Sequence, residues 1–125
     1  EIFVKEQLSG VALYQMGTGF TWDTQDREAD IAAAIRTWEH ARTMLSDPRY
    51  DLVVLDELTY MLAFDYLPEA DVITALTQRP ESQSVVVTGR GGGQALREAM
   101  DTVSEVKEIK HAYRAGIRAR LGVDY

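Results

Sequence analysis

Residues 51–57, Asp-Leu-Val-Val-Leu-Asp-Glu, decide the fold class of this 125-residue chain. Four consecutive apolar residues run directly into two carboxylates. Continuous rather than alternating apolarity is typical of a strand that is covered on both faces, as in parallel sheets. A second run of this kind, Ser-Val-Val-Val-Thr at residues 84–88, ends in a glycine-rich stretch. The two runs predict an α/β fold with a mostly parallel sheet and helices on both faces.

Helical patterns lie between and before these strands. Residues 27–46 predict a helix because four large apolar residues recur near a period of 3.6: Ile31, Ile35, Trp38 and Leu45. Asp26 is the expected N-cap, and Ser-Asp-Pro at residues 46–48 is the expected stop. Shorter helices are predicted over residues 60–66, 68–78 and 94–101, with Pro68 as the first residue of its helix.

Two more strands are predicted at the ends of the chain. Residues 11–16 form a short apolar run that is closed by a Gly-Thr-Gly turn, and residues 104–110 are interpreted as an edge strand. Residues 112–125 are expected to form either a helix ending near Gly122 or an arm that covers the sheet. No repeat or linker divides the sequence, so residues 1–125 are expected to form a single, partial domain.

The composition excludes several function classes. Lys and Arg number 13 against 20 Asp and Glu, giving a net charge of −7 and an isoelectric point near 4.7. Binding to nucleic acid or to an anionic membrane needs a cationic surface, so neither partner is expected. The chain has no cysteine, which excludes disulfides, thiolate zinc sites and Cys nucleophiles. No apolar run approaches the roughly 20 residues of a membrane span, and we expect a cytoplasmic protein.

Asp56 and Glu57 follow the decisive strand directly and resemble a Walker B element. Ligands of open α/β sheets bind beyond the carboxyl ends of the strands, where one carboxylate would approach Mg²⁺ and the other would orient a ligand. The alternative is that the pair caps a helix beginning near Thr59, where negative charge suits the helix dipole. The residue pattern alone leaves both possibilities open.

The stretch Gly-Arg-Gly-Gly-Gly at residues 89–93 follows the other strand. Its backbone N–H groups and the Arg90 guanidinium could bind phosphate oxygens. It matches neither the dinucleotide pattern G-x-G-x-x-G nor a P-loop, which ends in Lys-Ser/Thr. A flexible turn between strand and helix is the alternative, and the more common one for a lone glycine run.

Phe20 and Trp22 lie in a polar loop, Phe-Thr-Trp-Asp-Thr, after the run at residues 11–16. In an extended segment, residues two apart point to the same side, so both rings could contact one flat apolar ligand. The alternative is a loop that folds back and buries its rings in the core. The spacing favours this alternative slightly.

Four segments together resemble the ATP:corrinoid adenosyltransferases of the P-loop type. They are residues 16–24, which contain the Phe-Thr-Trp-Asp-Thr string, residues 55–60, residues 88–91, and the ending Gly-Val-Asp-Tyr at residues 122–125. The similarity is colinear and covers the chain from about residue 10. The aromatic string is its most specific part.

The resemblance implies an enzyme that transfers the 5′-deoxyadenosyl group of ATP to the cobalt of a reduced corrinoid, with release of triphosphate. Phe20 and Trp22 would be the catalytic residues, since they would keep water and the lower axial ligand away from the metal. With Thr21 and Asp23 they would form the corrinoid-binding loop. Catalysis would consist mostly of positioning and control of the cobalt geometry, with cobalt as the nucleophile.

The resemblance also implies an ATP site. Asp56 and Glu57 match the Walker B position and would bind the metal of Mg-ATP. Thr88 and Arg90 match a motif near the nucleotide phosphates and would be nucleotide-binding residues.

One family motif is missing from these residues. No G-x-x-x-x-G-K-[ST] sequence occurs in the 125 residues, so we expect a RecA-like P-loop NTPase fold that lacks its N-terminal P-loop strand and helix. Little or no transfer activity is then expected, together with a homo-oligomer, a dimer, that covers exposed sheet. The alternative is a non-catalytic corrinoid-binding or oligomerising module. Because residue 1 is Glu rather than Met, a natural start upstream is also expected.

Overall fold

A computed structural model describes residues 8–16 and 27–120. Helices precede, connect and follow its two strands, as the sequence predicts for an α/β fold. In chain order they are α1 (Arg27–Leu45), β1 (Leu52–Leu55), α2 (Leu58–Ala63), α3 (Glu69–Thr77), β2 (Ser84–Val87), α4 (Gln94–Ala99) and a 3₁₀ turn (Ala112–Ala115). None of these helices combines the length and the apolarity that a membrane span needs.

The sheet of the described residues has two strands, β1 and β2, which pair in parallel. The register places Leu52 opposite Ser84 and Leu55 opposite Val87. Parallel neighbours need a long crossover connection, and α2 and α3 supply it. The predicted parallel pairing of the two valine-rich runs is therefore confirmed.

The expectation of helices on both faces is wrong for the described residues. Val53 and Leu55 are buried against the helices, whereas Leu52 and Val54 on the opposite face of β1 are 53% and 56% exposed. Val86 on β2 is also 45% exposed. Side chains alternate between the faces of a strand, so helices that all pack on one face leave the other open. The strands are apolar on both faces, but the described residues cover only one face of the sheet.

Helix α1 confirms the predicted helix over residues 27–46 to within one residue, while its buried stripe differs from the expected one. Trp38 and Leu45 are buried, but Ile35 is 45% exposed. Small residues on the adjacent stripe, Ala33, Ala34 and Ala41, take the buried positions instead. Their short side chains permit close packing of the helix on its neighbours. The expected N-cap, Asp26, lies outside the described residues.

The two strands predicted at the ends of the chain are wrong. Residues 11–16 are irregular, and residues 104–110 are irregular and exposed throughout. A strand is stabilised by ladder hydrogen bonds to a neighbour, and in the described residues β1 and β2 pair only with each other. Residues 11–16 instead line a cavity of about 890 Å³ together with residues of α1, β1 and α2.

The C-terminal segment forms neither a long helix nor a covering arm within the described residues. Its regular structure is the 3₁₀ turn, which ends at Gly116 with a φ of 74°, and residues 101–120 are all exposed. Of the shorter helices, α2 begins two residues before its predicted start. Pro68 is the N-cap of α3 rather than its first residue. Position 122 lies outside the described residues.

Candidate functional site

The carboxyl ends of β1 and β2 are joined by hydrogen bonds from one residue, Thr88. Its backbone N–H donates to the carbonyl of Leu55 at 3.1 Å, which extends the parallel ladder by one residue. Its hydroxyl donates to Oδ1 of Asp56 at 2.6 Å and accepts from the backbone N–H of Glu57 at 2.9 Å. Its carbonyl accepts from the backbone N–H of Thr59 at 3.4 Å. The acidic pair is therefore held against the neighbouring strand.

The structure shows how far the acidic pair acts as a helix cap, which was one of its two possible roles. Glu57 is the N-cap of α2, but its backbone has φ 59° and ψ 19° and its side chain makes no capping hydrogen bond. Left-handed backbone in a non-glycine residue costs free energy and needs support from its surroundings. The hydrogen bond from Thr88 to the Glu57 backbone provides such support. Both acidic residues are exposed, so their carboxylates are accessible from solvent.

The glycine-rich loop packs directly on α2. A Cβ atom on Gly92 would lie 2.6 Å from the carbonyl oxygen of Thr59 and 2.8 Å from the backbone nitrogen of Ala63, distances that no side chain tolerates. A Cβ on Gly89 would collide with the hydroxyl of Thr59. Gly92 has a positive φ of 63°, which disfavours other residues as well. The glycines are thus required for a close turn between β2 and α4.

Arg90 lies in this loop at the same end of the sheet as the acidic pair. Its side chain is exposed and makes no ion pair with another residue of the described ranges. Gly91 follows with a φ of 68°, and nothing lies within 4 Å of the position that a Cβ would take there. A guanidinium in this position is accessible to an anionic ligand beyond the strand ends.

The donor set suits a magnesium ion that is shared with phosphate. Among the described residues there is no group of three or more His, Cys, Asp or Glu that could bind a metal by itself. Mg²⁺ usually takes one or two carboxylates and completes its octahedron with water and substrate phosphates. Asp56 and Glu57 fit this second type of site. They do not form a dedicated protein cage.

Four of the predicted site residues meet at this end of the sheet: Asp56, Glu57, Thr88 and Arg90. The other four, Phe20, Thr21, Trp22 and Asp23, lie outside the described residues, so their roles stay predictions. The roles of the first four toward metal and nucleotide also stay predictions.

Sequence reasoning missed two residues near the site. The hydroxyl of Thr59 is buried beside Gly89 and has no hydrogen-bond partner among the described residues. Oε1 of Glu69, at the start of α3, accepts from the backbone N–H of Leu96 at 2.8 Å and so caps α4 from another helix. A capping residue normally precedes its own helix, so no local pattern indicates a cap that is 27 residues away.

The parallel pairing and the residues that gather beyond it are typical of α/β proteins, whose ligands bind at the carboxyl ends of the strands. The family model for ATP:corrinoid adenosyltransferase BtuR/CobO/CobP matches residues 1–125. This chain therefore belongs to the ATP:corrinoid adenosyltransferase family, as its motifs predict.

Individual relatives agree with the family match. The chain is similar to corrinoid adenosyltransferase CobA of Salmonella typhimurium, with 54% identity over 93% of this chain and 59% of that protein. The corrinoid adenosyltransferase of Escherichia coli K12 is 53% identical over the same shares. That of Pseudomonas aeruginosa is 46% identical over 100% of this chain and 62% of its own length. The chain thus spans about three fifths of the length of these relatives.

Proposed function

We propose that this chain forms the acidic-pair and corrinoid-facing part of an ATP:corrinoid adenosyltransferase. The family match over the whole chain carries the proposal. The meeting of Asp56, Glu57, Thr88 and Arg90 at one end of the parallel sheet supports it, because ligands of such sheets bind there. The RecA-like P-loop fold and the cytoplasmic location remain predictions of the sequence.

The proposed reaction joins cobalt of a reduced corrinoid to C5′ of ATP. The cobalt supplies the electron pair of the new bond, the C5′–O bond breaks, and its electrons leave with triphosphate. Asp56 and Glu57 would hold the Mg²⁺ of Mg-ATP, which neutralises phosphate charge when it is bound. Arg90, exposed and unpaired among the described residues, would approach the same phosphates. These residues therefore act by positioning and by charge.

For residues 1–125 alone we propose corrinoid binding with little transfer, because these residues contain no P-loop sequence. A titration of this chain with a corrinoid, followed by the absorbance of the corrinoid, should show saturable binding. Trp22→Ala should weaken it at least about tenfold, since a bulky aromatic contact is lost. Tyr113→Ala is the control, because Tyr113 is another large aromatic residue and is strongly exposed on the 3₁₀ turn.

An adenosylation assay with ATP, Mg²⁺ and Co(I) corrinoid completes this test. We expect little adenosylated product from residues 1–125. Turnover at a rate typical of enzymes would overturn the expectation of low activity. No corrinoid binding at high protein concentration would overturn the proposed function itself.

The sheet face that residues 8–16 and 27–120 leave uncovered supports a second proposal, a homodimer. Leu52, Val54 and Val86 expose apolar surface on one face of the sheet, and such patches mark interfaces. A second copy can bury the same face twice in a symmetric contact. Sedimentation should show a dimer that Val54→Lys dissociates. Val103→Lys, at an exposed position away from the sheet, should leave the dimer intact, and a monomeric wild-type chain would contradict the proposal.

A further inference from the structure

The hydroxyl of Thr88 has both of its hydrogen-bonding functions engaged within the chain. A threonine hydroxyl carries one proton to donate. In this structure that proton goes to Oδ1 of Asp56, at 2.6 Å, while a hydroxyl lone pair accepts from the N–H of Glu57. The hydroxyl therefore has no proton left for a phosphate oxygen as long as Asp56 holds it.

We infer that Thr88 is a positioning residue for the acidic pair, and that it acts on a bound metal through Asp56 instead of contacting the nucleotide directly. The inference rests on the proposed function, because it assigns the carboxylates to a divalent cation. It goes beyond that function in giving Thr88 a role that is separate from phosphate binding.

The two hydrogen bonds act on different parts of the pair. The bond to Asp56 fixes the orientation of its carboxylate and leaves Oδ2 without a bond to Thr88. The bond from Glu57 reaches its backbone, which stands in the left-handed region at φ 59°. The Glu57 carboxylate makes no hydrogen bond or ion pair with another described residue and can turn toward a ligand. The Thr88 hydroxyl thus orients the Asp56 carboxylate and supports the left-handed backbone conformation of Glu57.

The remaining hydrogen bonds of Thr88 join it to the same segment. Its backbone N–H donates to Leu55, and its carbonyl accepts from Thr59. All the polar groups of Thr88 therefore contact residues 55–59, the segment that contains the acidic pair. Groups that orient a metal-binding carboxylate typically change metal affinity about 10- to 100-fold when they are lost.

The first test measures Mn²⁺ binding, with Mn²⁺ as an oxygen-preferring probe for the magnesium position and electron paramagnetic resonance as the readout of free ion. Thr88→Val keeps the shape of the side chain and removes the hydroxyl, and we expect about 10- to 100-fold weaker binding. Thr88→Ser keeps the hydroxyl and should restore affinity. Thr77→Val is the matched control, because the Thr77 hydroxyl donates only to carbonyls of its own helix.

The second test reads the hydrogen bond without a metal. The Glu57 amide should exchange slowly with solvent in the wild-type chain and at least about tenfold faster in Thr88→Val, as in other amides that lose their acceptor. Thr88→Ser and Thr77→Val should retain the wild-type rate. If Thr88→Val fails to fold, unprotected Glu57 exchange in the wild-type chain would still overturn the inference, and protected exchange together with rescue by Thr88→Ser would support it.

The outcomes separate this inference from the proposed function. Unchanged Mn²⁺ affinity in Thr88→Val, combined with lost affinity in Asp56→Asn, would overturn the positioning role and leave the acidic pair as the metal site. Wild-type affinity in Asp56→Asn and in Glu57→Gln would overturn the metal role itself, and with it the inference. Lost Mn²⁺ affinity in Thr88→Val, Asp56→Asn and Glu57→Gln, with restored affinity in Thr88→Ser, would support both the inference and the proposed function.

Discussion

The two ends of the two-stranded sheet are held by different hydrogen bonds, those of a buried amide at one end and those of a hydroxyl with exposed partners at the other. At the amino end, the buried Gln83 (1% exposed) donates from Nε2 to the carbonyls of Met44, Asp47 and Tyr50, at 3.1, 3.1 and 3.2 Å. At the carboxyl end, the Thr88 hydroxyl holds one exposed carboxylate and one backbone amide.

The difference separates stability from function in the same small sheet. The buried amide of Gln83 joins three carbonyls of the partly buried segment between α1 and β1. Its loss would remove three hydrogen bonds at once, although the carbonyls of Met44 and Asp47 each keep a backbone N–H donor. The partners of Thr88 lie at the surface, where water can replace a lost bond. We therefore expect substitutions at the amino end to lower the free energy of unfolding, and those at the carboxyl end to change ligand binding.

The largest effect on stability is expected from Gln83→Met. Methionine keeps the approximate volume and removes the donor of three hydrogen bonds, so the free energy of unfolding should fall by about 3 kcal/mol, at about 1 kcal/mol for each bond. Urea denaturation measures it. The matched control is Gln78→Met, at an exposed glutamine after α3, which should change stability by less than about 0.5 kcal/mol. Equal losses in the two variants would remove the distinction between the ends.

Gly92→Ala tests whether packing also matters at the carboxyl end. The new Cβ would meet the backbone of Thr59 and of Ala63, so the loop must move, at a cost of about 2 kcal/mol. Gly91→Ala is the control, since Gly91 has a similar φ of 68° but nothing within 4 Å. Its cost should be backbone strain alone, about 1 kcal/mol. If both variants lose the same stability in urea, the loop does not depend on close contact with α2.

Glu69→Ala tests the cap that holds α4 behind the glycine-rich loop. Loss of the hydrogen bond from the Leu96 amide should lower the free energy of unfolding by about 1 kcal/mol, as for a lost helix cap. Glu69→Gln keeps an acceptor oxygen and should lose less. Glu81→Ala, at an exposed position before β2, is the control. Thermal or urea unfolding of the three variants gives the ranking, and a loss in Glu81→Ala as large as in Glu69→Ala would contradict it.

The smallest effect belongs to an exposed ion pair near the amino end. Bonds from Arg49, of which the shortest is 2.6 Å, hold the pKa of Asp47 down at about 2. A depressed carboxyl pKa stabilises the fold above the unfolded value of 3.8, and this contribution is lost as the pH falls toward 2. Wild type should therefore lose slightly more stability than Asp47→Asn between pH 5 and about 2.5, and salt should reduce the difference. If Asp47→Asn lost more stability than wild type over this pH range, the ion pair would not stabilise the fold as predicted.

Much of the fold could be predicted from local patterns. Helix α1, the pairing of the two valine-rich strands and the α/β class follow from periodicity and from uninterrupted apolar runs, which depend on neighbours in sequence. The strands predicted at residues 11–16 and 104–110 were wrong, because a strand also needs a partner edge that no local pattern contains. The open face of the sheet was missed for the same reason: apolarity shows that a surface prefers burial and does not show what covers it.

The location of the site could be predicted from the sequence, but the hydrogen bonds among its residues could not. Asp56, Glu57, Thr88 and Arg90 could be found because residues that end parallel strands gather at one edge. The Thr88 hydroxyl bonds and the cap from Glu69 could not, since both join residues about 30 positions apart.

The amino-acid sequence by itself determined the α/β class, the family and the residues that stand at the carboxyl ends of the strands. These properties follow from composition, period and motif. Only the tertiary structure decided that the Glu57 side chain makes no capping hydrogen bond and that Thr88 donates its single hydroxyl proton to Asp56. It also decided that the described residues leave one face of the sheet uncovered. The reason is physical: a hydrogen bond depends on distances of a few ångströms between atoms, and the chain sets such distances across the sheet only when it folds.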